Sequence, residues 1–80
     1  MSIRDTRAGD RLPNGSTIVE YVVDSNGDGV VLAKDVNNVT PYATWEFYRG
    51  DLRSTSHGHY SFTEGEAMQD YRARRASFLR

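Results

Sequence analysis

The sequence has no cysteine among its 80 residues. That absence excludes disulfides, thiolate zinc sites and cysteine nucleophiles together. Small exported domains usually rely on disulfide staples, so a reducing compartment, the cytoplasm, is expected. An excess of charge of one sign is also missing: ten Lys plus Arg face eleven Asp plus Glu, for a net charge of −1. Binding duplex nucleic acid favours a basic excess that displaces counterions from phosphates, so that partner is not expected. No run approaches the roughly 20 apolar residues of a membrane span, and no membrane partner is expected. Residues 1–10 carry Arg4, Asp5, Arg7 and Asp10 without an apolar stretch, which does not fit a signal peptide. No serine sits in a G-x-S-x-G elbow. With no catalytic set legible, neither enzymatic activity nor a cofactor is expected.

What is present is patterned for one small α+β domain over residues 1–80. A chain this short buries only roughly 60% of its unfolded surface, so function is expected on a surface groove or an interface, not in a deep cleft. Residues 1–16 read as a polar lead-in that ends in the turn Leu12-Pro13-Asn14-Gly15. Residues 17–62 read as the sheet. Residues 17–23 and 30–34 are β-branched runs separated by turn formers and look like a hairpin. Residues 39–48 alternate. Val39, Ala43, Trp45 and Phe47 fall on one side; Thr40, Tyr42, Thr44, Glu46 and Tyr48 fall on the other. After a polar loop at 49–56, residues 57–62 form a short fourth strand with Tyr60 and Phe62 on one face. Thr63-Glu64-Gly65-Glu66 is a capping box that opens a helix over 63–79, whose apolar stripe is Ala67, Met68, Tyr71, Arg75, Phe78 and Leu79. The expected fold is a four-stranded antiparallel meander with this C-terminal helix packed on one face. The helix is expected to cover Val19 or Ile18, Leu32, Trp45 and Tyr60.

Several strings carry chemistry. Asp24-Ser25-Asn26-Gly27-Asp28-Gly29, with Asp35 six residues on, follows the calcium-loop spacing except that Asp replaces the final Glu. Its flanks are strand formers, not helices, so a conformational turn is the preferred reading and no metal is assigned. His57 and His59 are spaced to face the same way on a strand, with no third ligand visible. Arg49-Gly50-Asp51 matches the integrin tripeptide, and Arg74-Arg75-Ala76-Ser77-Phe78 a basophilic kinase site; the first lacks an export signal and the second lies in the helix. Trp45 and Tyr60 are expected in the core. Aromatics and arginines make stacking platforms and interface hot spots. The candidate binding residues are therefore Tyr42, Tyr48, Arg49, Arg53, His57 and His59.

Gly9-Asp10-Arg11-Leu12-Pro13-Asn14-Gly15 before a β-branched strand resembles the opening of small bacteriophage accessory proteins. Thr44-Trp45, Gly58-His59-Tyr60 and the closing helix from near Thr63 fit the same group, so the likeness runs from about residue 9 to about residue 76. Members often carry an aromatic directly after Gly-His-Tyr; here Ser61 precedes Phe62. The resemblance implies an accessory protein in the cytoplasm of an infected bacterium, with no catalytic residue or cofactor attached. The expected function is a binding protein that engages and modulates a host protein, such as a defence component. The alternatives are a nucleotide or cyclic-nucleotide binder that sequesters a signal, a virion structural component, and a metal-dependent enzyme using the histidines or the acidic loop.

Overall fold

The computed structural model describes residues 6–78. The elements, in chain order, are β1 (Thr17–Val23), β2 (Gly29–Lys34), β3 (Tyr42–Tyr48), β4 (Asp51–Ser61) and α1 (Glu64–Phe78). The strands pair antiparallel in the order β1-β2-β3-β4, and α1 lies on one face of this open sheet. The fold is α+β, as the pattern predicts. Among the described residues, no helix is long and apolar enough to cross a membrane. The expectations that rest on residues 1–5, Leu79 and Arg80 lie outside the described residues.

Thr63 starts α1 by accepting the Glu66 amide on its hydroxyl at 3.2 Å, and the same hydroxyl donates to the Glu66 carboxylate at 3.0 Å. The helix buries Ala67 and Tyr71, one turn apart, while Met68 and Phe78 pack beside them. Burial pushes the Tyr71 phenol up to about 12, with Glu20 adding to the shift and Arg75 opposing it.

The sheet has two buried faces, because β2 and β3 are its central strands and both sides of them are covered. Val30 and Leu32 meet α1, with Val19, Val22 and Tyr42 at the margin. The larger apolar cluster lies on the opposite face: Leu12, Ile18, Val31, Ala33, Ala43, Trp45, Phe47 and Leu52. The lead-in closes that face. It folds back along β1 through the amides of Gly9 and Ile18, and a turn joins the Gly15 amide to the Leu12 carbonyl at 2.9 Å. Leu12 is thereby buried, and the Thr6 carbonyl accepts the Tyr21 hydroxyl at 3.0 Å. The expected turn forms, but the lead-in does more than lead in: Thr6, Leu12 and Ser16 are buried while most of its other residues stay exposed.

Three further expectations need correction. The helix covers Leu32 and, of the two alternatives on β1, Val19, but not Trp45, which alternation sends to the far side of the sheet with Ile18. Tyr60 is 55% exposed: it lies on the outermost strand and meets Trp45 edge to face at 6.1 Å. Val39 is exposed ahead of β3 instead of sharing the face of Ala43.

β4 is much longer than the expected fourth strand. Arg49 and Gly50 both have positive φ, 55° and 72°, and Tyr48 pairs with Asp51. That is a two-residue hairpin of the type that matches strand twist. The stretch read as a polar loop is therefore mostly strand.

Candidate interaction site

The regular β3–β4 ladder breaks opposite Trp45. Thr44 pairs with His59 and Glu46 with Ser56, so His57 and Gly58 together face the single residue Trp45 and the outer strand carries one extra residue. His57 takes a left-handed φ of 53°, and Gly58 lies so close to the Trp45 indole that an added Cβ would come 2.7 Å from Nε1. This bulge bends β4 and places His57 and His59 beside Glu46 and α1.

The helix supplies Asp70 and Arg74, one turn apart on the face toward β3 and β4. The fully buried Thr44 hydroxyl donates to Asp70 Oδ2 at 2.5 Å. His59 Nδ1 lies 2.9 Å from Asp70 Oδ1. Arg74 donates to the Thr44 carbonyl and hydroxyl, and its Nη2 donates to the His57 carbonyl at 2.5 Å. The same Nη2 is 3.2 Å from His59 Nε2 and 3.6 Å from Glu46 Oε2. Because guanidinium has no acceptor, Nε2 must accept, which assigns the His59 proton to Nδ1, facing Asp70. Partial burial works to raise the Asp70 carboxyl, but Thr44, His59 and Arg74 outweigh it and hold the group below the usual carboxylate range.

Glu46 is the second hub. Its Oε1 accepts the Tyr48 hydroxyl at 2.6 Å and lies 3.8 Å from His57 Nδ1. The hydrogen bond to Glu46 raises the Tyr48 phenol. Ser56 Oγ is 3.1 Å from that same His57 nitrogen. Serine and carboxylate thus meet one ring nitrogen, whereas a proton relay needs one on each. In the His59–Asp70 pair, the nitrogen that a catalytic histidine turns to a nucleophile faces Arg74 instead. An open pocket of about 240 Å³ adjoins these groups, lined by Val30, Glu46, Arg74, Ser77 and Phe78. It is smaller than typical small-molecule sites.

Three of the expected residues, Tyr48, His57 and His59, meet in this network. Tyr42 is half-buried under α1, because the face opposite Trp45 is the one the helix occupies. Arg49 sits in the β3–β4 turn, its amide donating to Asp28 Oδ1 at 2.9 Å. Arg53 is exposed on β4, paired with Asp51 at 3.2 Å. Its amide and guanidinium hold the Asp51 carboxyl below the usual range. The Gly50 amide donates to Gly27, so the Arg49-Gly50-Asp51 tripeptide is tied into the sheet. Thr44, Glu46, Asp70 and Arg74 were missed as site residues.

The acidic loop is organised around its own backbone. Asp24 Oδ1 accepts the amides of Asn26 at 2.8 Å and Asp28 at 3.1 Å. Asp35 lies at the opposite end of β2, beside Thr17. Among the described residues, no group of three or more potential ligands is placed to hold a metal ion.

Comparison with family models, curated proteins and solved structures finds no match to this chain.

Proposed function

We propose that this chain is a small phage-encoded binding protein that engages and modulates a host protein, such as a defence component, through the outer strand β4 and its adjoining turn. The observation that carries this reading is the edge itself. β4 runs for 11 residues with one backbone edge unpaired by any other strand of the sheet. Around it Tyr48, Tyr60 and Phe62 are 46%, 55% and 67% exposed. Exposed strand edges template pairing with another chain, and aromatics with arginine supply the anchoring contacts of interfaces. The resemblance of Gly9–Gly15, Thr44-Trp45 and Gly58-His59-Tyr60 to phage accessory proteins supports the biological setting. A nucleotide-binding reading has less support, because none of the six residues expected to bind lines the pocket and the Arg74 guanidinium is engaged within the protein.

Affinity capture from infected-host lysate tests this, with the tagged chain and a Tyr60→Ser/Phe62→Ser variant run side by side. The expected result is a stoichiometric host partner that the folded variant loses. Equal recovery by the variant would move the contact surface away from β4. A nucleotide that raises the melting temperature, with no partner captured, would replace this reading with the nucleotide one.

A further inference from the structure

His59 stands between an acceptor and a donor carried by the same helix. Asp70 lies 2.9 Å from Nδ1, and Arg74 Nη2 lies 3.2 Å from Nε2. An imidazole satisfies both contacts only when it carries one proton, on Nδ1. A second proton would place an N–H on Nε2, facing a guanidinium that has donors alone. Two donors cannot share a bond, and two cations at that distance repel.

We propose that protonation of His59 releases Arg74 from β4, making the seat of α1 on the outer strand a proton-controlled latch. The Arg74 nitrogen that meets His59 also donates to the His57 carbonyl, so its departure frees the backbone of the bulge. Arg74 is already within 3.6 Å of a second acceptor, Glu46 Oε2 on β3, and keeps it when the His59 contact is lost.

The groups facing His59 come from three elements. From α1 come Asp70 and Arg74. From β3 come Thr44, through its bond to Asp70, and Glu46, through its pairing with Arg74. On β4 itself is His57, whose ring is turned to Ser56 and Glu46. Asp70 can still accept from a ring that carries two protons and Arg74 cannot, so the Arg74 contact is the one that a second proton breaks. Asp70 stays ionised while histidine titrates, because its carboxyl is held below the usual range. The inference stands on this geometry and is independent of what β4 binds.

Heteronuclear NMR of the full chain tests the latch by following the His59 ring nitrogens and the Arg74 guanidinium from neutral to mildly acidic pH. At neutral pH His59 should show the Nδ1–H tautomer, and Arg74 should give slowly exchanging N–H signals. The Nη2 signals should shift and exchange faster with the same midpoint as the His59 titration, while the Nη1 protons held by Thr44 persist. His59→Gln should abolish the Arg74 transition, and His57→Gln should leave it. Constant Arg74 signals while His59 gains its second proton would overturn the proposal, as would a transition that survives in His59→Gln. If His59→Gln does not fold, the co-titration in the unsubstituted chain decides by itself.

Discussion

Thr44 on β3 donates its hydroxyl to Asp70 on α1 at 2.5 Å from a position with no solvent exposure. A hydroxyl bound to an ionised carboxylate makes a short, strong bond, and burial leaves no water to replace it. Thr44→Val keeps the branching and removes the donor, leaving both Asp70 and Arg74 short of a partner. The expected cost is about 1.5–3 kcal/mol of unfolding free energy, read from urea denaturation. A variant as stable as the parent would show that this bond does not help to hold the helix.

The Asp70 carboxyl carries a pH dependence whose sign follows from its lowered value. In the unfolded chain Asp70 takes up its proton near the ordinary 3.8, while the folded chain resists protonation until lower pH. Between those points the unfolded state holds more protons, so stability rises with pH there and is lost as acid is added. The contribution is fully present above about pH 5 and fades below about pH 4. Asp70→Asn should be less stable at neutral pH and should show a shallower acid limb. Parallel acid limbs for variant and parent would remove Asp70 from the account.

Trp45 and Tyr60 touch, yet their replacement should have unequal effects. Trp45 is 5% exposed within the larger apolar cluster, whereas Tyr60 lies on the outer strand. Trp45→Ala is expected to cost about 3–5 kcal/mol. Tyr60→Ala should cost under about 1 kcal/mol, since an exposed ring loses little burial when removed. Similar losses at the two positions would mean that the aromatic pair packs as one buried unit. That would also weaken β4 as a free contact surface.

Alternation made the faces of β3 legible: Ala43, Trp45 and Phe47 do oppose Tyr42, Thr44, Glu46 and Tyr48. What the pattern could not assign was which face the helix would take. The apolar side looked like the docking side because it is richer in large residues, but the lead-in buries that side through Leu12. The helix takes the polar-looking side, where Tyr71 supplies bulk and Asp70 and Arg74 satisfy Thr44. Only Tyr48 and the His57/His59 pair of that site were singled out in the sequence; Asp70 and Arg74, four apart on the helix, look like any exposed helical pair until the helix docks. The bulge at His57 was hidden because histidine does not announce a left-handed φ, although the neighbouring Gly58 is a common mark of a strand irregularity. The Thr63 cap was legible because its geometry is local: its hydroxyl accepts the Glu66 amide as the spacing implies, and the Glu66 carboxylate reaches back to that same hydroxyl.

The acidic loop gives the last prediction, because its sequence and its geometry point to different chemistry. Its spacing is that of a calcium loop, but Asp24 Oδ1 is occupied by the amides of Asn26 and Asp28, and Asp28 Oδ1 accepts the Arg49 amide. These bonds close the β1–β2 turn and dock it on the β3–β4 turn. Asp35, at the twelfth position of the pattern, lies beyond β2, whose six residues span about 20 Å at strand rise, so it cannot close the same site. A cation bound to the native state would raise the melting temperature with occupancy, and millimolar calcium largely fills even weak loops of the extracellular class. The melting temperature should therefore be the same in calcium and in chelator. Asp24→Ala should lose about 1–2 kcal/mol in both, from two amides left without their acceptor. A calcium-dependent stabilisation that Asp24→Ala abolishes would instead make the loop a cation site, with its amide bonds giving way to the ion.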